Sequence, residues 1–175
     1  MESEIAIREA VIEDAPAIAR VNFLTWRHAY RGLIPDSELD SLNLEGLTDR
    51  WQQNLNPVNP RSGTLVVETG DSLIAYSRFY PSLDPGDDQD SVATIGSMYV
   101  IPEFHRKGIG RKLMGRVLAA ANEHGFTEAN LHVLAANDLA RKFYEDLGWE
   151  VDLDVKIKGS GEETVPKVRY RKNQL

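Results

Sequence analysis

A chain of 175 residues, 42% of them apolar, can close one sizeable core and shows no sign of a second, so one domain over 1–175 is expected. A net charge of −7 and a pI near 5.1 argue against nucleic acid or an anionic membrane as partner, since both need a broad basic surface. The absence of cysteine excludes disulfides, thiolate nucleophiles and Cys-based metal sites. His28, His105, His124 and His132 are scattered without ligand spacing, so no metal is expected. The first ten residues, MESEIAIREA, lack an apolar signal region and no run is long enough to span a bilayer, which leads to the expectation of a cytoplasmic protein.

Residues 4–9 alternate Ile5 and Ile7 with polar side chains, the period of a half-buried strand. Asp14 offers an N-cap with Pro16 in the first turn, and Ile18, Asn22, Thr25, Trp26 and Ala29 recur at helical spacing up to a stop near Gly32. Leu39, Leu42, Leu44, Leu47 and Trp51 suggest one or two shorter helices before the Pro/Asn-rich turn at 56–60. Two β-rich runs follow, joined at Gly70-Asp71, a hairpin signal. The loop 81–90 carries four aspartates and reads as a solvated connection rather than a cation site.

Residues 94–101 form the next strand, followed by a Pro-marked turn, a glycine-bearing loop and a helix with Ile109, Leu113, Val117, Leu118 and Ala121 on one face, ending near Gly125. Leu131, Val133 and Leu134 mark another strand. Asn137 or Asp138 caps a helix with Ala140, Phe143 and Leu147 on its face, stopped by Gly148. The stretches 149–158 and 164–172 alternate as strands about Gly159-Ser160-Gly161. Hairpins imply antiparallel neighbours and β-α-β crossovers parallel ones, so the order predicts a mixed sheet with helices on its faces.

The stretch 94–116 stands out by charge. Between Phe104 and Asn122 lie Arg106, Lys107, Arg111, Lys112, Arg116 and His105, with no acidic residue, in a chain whose acids outnumber its bases 27 to 20. A cationic island at a strand-to-helix turn points to an anionic ligand held by backbone N–H groups and a helix N-terminus. Gly108-x-Gly110 alone is a weak motif. A dinucleotide fingerprint would need glycine where Leu113 stands, and a P-loop would need Gly-Lys-Ser/Thr where the order is Lys107-Gly108.

Val100-x-Pro102, the run His105-Arg106-Lys107-Gly108-Ile109-Gly110-Arg111, Asn137, and Arg141-Lys142-Phe143-Tyr144-x-x-Leu147-Gly148-Trp149 together resemble the GNAT superfamily of N-acetyltransferases, densely over 94–149. Trp26, Tyr30, Arg31-Gly32 and Pro35 are similar to a bacterial subgroup of it. The resemblance implies a single-domain α/β fold of α+β type, with a mixed, mostly antiparallel sheet of about seven strands and helices on both faces. It also implies an acyltransferase that uses acetyl-CoA as co-substrate and passes the acetyl group to a primary amine of a small molecule or peptide. Direct attack by the amine is expected, because no cysteine is present to carry an acetyl group. A non-catalytic acyl-CoA-binding regulator is the alternative.

By the same resemblance, the backbone of Met98, Tyr99 and Val100 would hold the pantetheine arm, and the loop from His105 through Arg106, Lys107, Gly108, Ile109 and Gly110 to Arg111 would hold the pyrophosphate. Asn137 would contact the arm and Tyr144 would serve the departing thiolate. His105 stands where Gln or Arg is usual and Arg106 where glycine is common, which leaves a side-chain role for His105 open. Many relatives place a Glu on the strand before the loop, whereas this strand reads Thr94-Ile95-Gly96-Ser97-Met98. The base is therefore a water relay or lies elsewhere, with His132 a candidate whose structural reading is favoured. His28 and Tyr30 are candidates to line the acceptor site. The acidic loop leans towards a cationic acceptor, and an exposed terminal hairpin could support a homodimer.

Overall fold

The computed structural model describes residues 5–56, 59–152 and 166–175. Strand β1 (Ile5–Glu9) leads into α1 (Ala15–Ala29), the short α2 (Asp36–Ser41) and α3 (Leu44–Leu55). The hairpin β2 (Gly63–Thr69) and β3 (Ser72–Pro81) precedes β4 (Val92–Val100) and α4 (Ile109–Glu123). Then come β5 (Glu128–Leu134), α5 (Asp138–Asp146), β6 (Glu150–Val151) and β7 (Lys167–Lys172). The seven strands form one sheet in the order β1-β2-β3-β4-β5-β7-β6, antiparallel throughout except where α4 carries the chain from β4 to a parallel β5. The turn expected at Gly159-Ser160-Gly161 and the outer ends of the two strands beside it lie outside the described residues; β6 and β7 do pair antiparallel.

Alternation along β3 sends neighbouring side chains to opposite faces, and each face is covered. Tyr76 meets Trp51 of α3 with ring centroids 4.7 Å apart, whereas Phe79 meets His124 at the end of α4 at 5.3 Å. Helix α1 buries Ile18, Val21, Asn22 and Thr25 in the first layer; α4 buries Ile109, Leu113, Met114, Val117 and Ala121 in the second. Each large aliphatic side chain fully removed from water contributes about 1.5–3 kcal/mol, so these stripes hold the helices on the sheet.

Local chemistry sets most boundaries. Gly70 adopts φ 56° in the turn between β2 and β3, and Gly125 (φ 88°) and Gly148 (φ 78°) follow the ends of α4 and α5. Asn43 caps α3 by accepting from the Gly46 N–H at 2.7 Å. Asp14 departs from expectation: its carboxylate does not cap α1 but accepts from the Val11 N–H at 2.8 Å and from Arg8 at 2.7 Å, because the strong guanidinium partner from β1 outcompetes the helix end.

The loop 81–90 is also not the solvated connection expected of it. Asp84 and Asp87 turn inward onto β7, where Arg169 Nη1 lies 3.0 Å from Asp84 and Arg169 Nη2 lies 3.0 Å from both Asp87 and Asp152. Arg171 adds Asp87, Asp152 and Glu128. The buried Arg169 and the partly buried Arg171 need carboxylates, and two of the four they meet come from a loop some eighty positions away in sequence.

Candidate active site

Strands β4 and β5 pair only at Val92/Glu128, Ala93/Ala129 and Thr94/Asn130, whereas β4 stays paired with β3 as far as Val100. From Ile95 onward β4 therefore has no strand partner on the β5 side. The cause is local: Phe79 pairs with Ile95 and Arg78 with Ser97, so Gly96 is an extra residue that bulges and turns β4 away. Only glycine serves there, since a Cβ on Gly96 would lie 2.3 Å from the Tyr80 ring. The sequence carries the signal for this in a glycine inside a strand pattern.

The opened backbone belongs to Met98, Tyr99 and Val100, and the loop from His105 to Arg111 follows at its end. His105 Nε2 donates to the Val100 carbonyl at 2.7 Å, and its ring sits 6.0 Å from that of His28. The His105 side chain thus ties the loop to the strand. Arg106 (φ 63°) and Gly108 (φ 77°) both adopt left-handed backbone, and Gly108 leads into α4, whose first turn has no side-chain cap. Space for a Cβ is open at Gly108, so its requirement is conformational; at Gly110 a Cβ would press to 3.2 Å on Phe143 of α5, so its requirement is packing. Arg106, Lys107, Arg111, Lys112 and Arg116 are exposed and form no ion pair among the described residues. A loop with uncapped N–H groups, a helix N-terminus and uncompensated cations fits a phosphate-bearing ligand.

Four tyrosines, Tyr30, Tyr76, Tyr99 and Tyr144, gather where β4 departs. Tyr30, just past α1, and Tyr99 hold their hydroxyls 3.1 Å apart, and Tyr99 packs on Tyr76. Tyr144 of α5 is wedged against Phe143, Trp149 and Tyr170. Burial above all, with Tyr30 adding, drives the Tyr144 phenol far above its ordinary range, so it keeps its proton and can donate but not abstract. Its hydroxyl has no hydrogen-bond partner among the described residues. Asn137 caps α5 by accepting from the Ala140 N–H at 3.2 Å, which leaves its amide NH₂ available.

His132 lies two residues beyond the last β4/β5 pair, on the Asn130 face of β5. Its Nε2 is 3.0 Å from Asp84 in the Arg169 cluster, and burial lowers its pKa despite that carboxylate. Trp26 packs edge-on to Tyr30 at 5.2 Å. A cleft of about 180 Å³ lined by Asn54, Gly63, Phe79 and His124 lies at the other end of α4 from the Gly108 loop and belongs to none of this. No group of three or more His, Asp or Glu residues among those described could hold a metal. No helix among them is long and apolar enough to cross a membrane.

The sequence model of the acetyltransferase (GNAT) family matches residues 24–149, a span that runs from the second half of α1 to just past α5 and holds β4, the Gly108 loop, α4, β5 and Tyr144. The chain belongs to this family. Within it, the GNAT chain is 29% identical over 135 residues to the uncharacterized N-acetyltransferase YuaI of Bacillus subtilis, covering 76% of this chain and 73% of that one. It is 28% identical over 153 residues to the probable N-acetyltransferase Rv2775 of Mycobacterium tuberculosis, covering 86% and 82%. The fold is shared with the PaiA N-acetyltransferase of Thermoplasma acidophilum, solved in complex with coenzyme A (TM-score 0.74, 20% identity, 97% and 99% covered). It is shared also with yncA of Salmonella typhimurium, solved with its cofactor acetyl-CoA (TM-score 0.73, 19% identity, 98% and 94% covered). The mixed seven-stranded α/β architecture expected from the sequence is the architecture of this GNAT protein.

Proposed function

We propose that the protein is a single-domain enzyme that transfers the acetyl group of acetyl-CoA directly to a primary amine. The observation that carries this reading is the open edge of β4 ending in a left-handed, cationic loop at the start of α4. Acetyl-CoA supplies the acyl carbon as a thioester, and the sum is acetyl-CoA plus an ammonium giving an N-acetyl amine, the CoA thiol and one proton.

The residues divide that work by their geometry. Backbone groups of Met98, Tyr99 and Val100 align the arm along β4 as a missing strand would be aligned. N–H groups from Arg106 to Arg111 hold the pyrophosphate, with the free cations around them, and His105 keeps the loop on Val100. The free NH₂ of Asn137 donates to the arm. Tyr144, held protonated by burial, gives its proton to the departing sulfur. Of the two protons the ammonium loses in becoming an amide, one returns through water to Tyr144 in place of the one given to sulfur and the other leaves to solvent, since β4 has no carboxylate and Tyr99 is held protonated.

Thermal melting with acetyl-CoA, followed by CoA-thiol release over a panel of amines, tests this. At a hundredfold excess over Kd, binding should add about 2.7 kcal/mol, or about 5–10 °C for a chain of this size. No shift would sink the cofactor assignment. A shift without turnover of any amine would favour the acyl-CoA-binding regulator.

A further inference from the structure

The face of the sheet that packs on α1 and α3 holds two substantially buried guanidiniums, and they are compensated differently. Arg169 is surrounded by Asp84, Asp87 and Asp152. Arg78, in the middle of β3, has no ion pair with any described carboxylate. Its Nη1 donates to Asn54 Oδ1 of α3 at 2.9 Å, and its guanidinium lies 5.3 Å from the centre of the Tyr80 ring. Nε is buried without a partner, and Nη2 makes no hydrogen bond among the described residues.

A half-buried cation without a counter-charge is costly, and a buried donor left unmade adds to that cost. Burial accordingly lowers the Arg78 pKa, and only the Tyr80 phenol opposes that. The free atoms are also a matched set. With Nη1 engaged by Asn54, the Nε/Nη2 edge remains, which presents two parallel N–H bonds in the geometry of a carboxylate.

The location connects this edge to the transfer site. Arg78 is the β3 partner of Ser97, the residue after the Gly96 bulge that opens β4 from β5. The Tyr80 ring reaches from Arg78 to the space above Gly96. The groups around Arg78 include Asn54 from α3, Tyr80 on its own strand, Thr64 on β2, and Gly96 and Ser97 on β4. Asp84 is close enough to act on Tyr80, but it is already held by Arg169 and His132. With Asp84 and Asp87 consumed inside the protein, the acidic loop no longer favours a cationic acceptor.

We propose that Arg78 binds the acceptor, and that the acceptor is a primary amine carrying a carboxylate, of the amino-acid class, clamped through the Nε/Nη2 edge while its amine faces the opening of β4. This rests on the acetyl-transfer reading above.

The test is CoA release by the full chain with L-amino acids, each set beside its amide and its decarboxylated amine. The acids should exceed their matched amides in kcat/KM by about 10- to 100-fold, the range for losing hydrogen bonds to a charged group. Arg78→Lys and Arg78→Met should each lose most of that preference through acceptor KM. The acetyl-CoA melting shift and the KM for acetyl-CoA should stay unchanged, which also shows that the variants fold. Amides or decarboxylated amines used as well as the acids, or an Arg78→Met variant that keeps the preference, would overturn the proposal and leave acetyl transfer standing. No release with any amine would remove the acetyl-transfer reading and this one with it.

Discussion

Replacing Arg169 by Met removes the centre of the loop clamp, and the structure allows the cost to be worked out. The Arg169 side chain is 1% exposed and sits 3.0 Å from carboxylates that are 18%, 4% and 10% exposed, those of Asp84, Asp87 and Asp152. Removing one member of a buried charge pair typically costs about 3–5 kcal/mol, because the other charge is stranded. Here Asp87 and Asp152 keep Arg171, and only Asp84 is left to His132, which burial holds towards its neutral form. The lower end, about 3 kcal/mol, is therefore expected, or a fall in Tm of about 6–12 °C. The loss should depend on pH with a definite sign. Burial alone would raise the Asp87 carboxyl, but its bonds to Ser82 and Arg171 and the charge of Arg169 bring it below the ordinary range. That stabilisation is whole above the ordinary carboxylate pKa and disappears as pH falls through the depressed folded value. In the variant the stranded carboxylates take up protons more readily, so the gap to the parent protein should be widest near neutrality and narrow in acid. Urea unfolding of both proteins at about pH 7.5 and about pH 4.5 measures it. A loss below about 1 kcal/mol at neutrality, or a gap that does not shrink in acid, would refute the reasoning.

Three further outcomes are expected. Tyr144→Phe should lower kcat about 10- to 100-fold with little change in acetyl-CoA affinity, as measured by initial rates and melting shifts; unchanged turnover would remove the proton-donor role. Arg106→Gly relieves a left-handed residue at about 1–2 kcal/mol, against about 0.5–1 kcal/mol of extra unfolded-state entropy, so denaturation should show a gain of about 0.5–1 kcal/mol, and a loss would count against strain at φ 63°. The pH profile of stability should begin to decline below about 6.5, because His132 is lowered by burial and its contribution is lost as pH falls from the unfolded towards the folded value. A second decline should follow in the carboxylate range, where Arg8 above all holds Asp14 low. His132→Gln should remove the first decline, and a parent profile flat between about pH 8 and pH 5 would contradict it.

The stretch from Thr94 to Arg116 announced itself in one dimension, because its chemistry is short-range. Glycine is needed where the backbone goes left-handed at Gly108, a cationic run needs no partner to be noticed, and the hairpin at Gly70 and the cap at Asn137 depend on residues within a few positions. The sheet's mixed topology was legible for the same reason, since crossover and hairpin lengths are local. Other features were decided only when distant segments met. Asp84 reads as a surface residue until Arg169, 85 positions on, is folded against it. Asp14 reads as a helix cap until Arg8 reaches it from the strand before. Gly96 is a bulge because Tyr80 lies across it, and Tyr30 and Tyr99 meet across 69 positions. Arg78 is the plainest case: as one arginine among many in an acidic chain it carries no message. Its meaning comes from the carboxylates that folding places elsewhere, since charge compensation is a property of neighbours in space and local sequence cannot encode which neighbours will be missing.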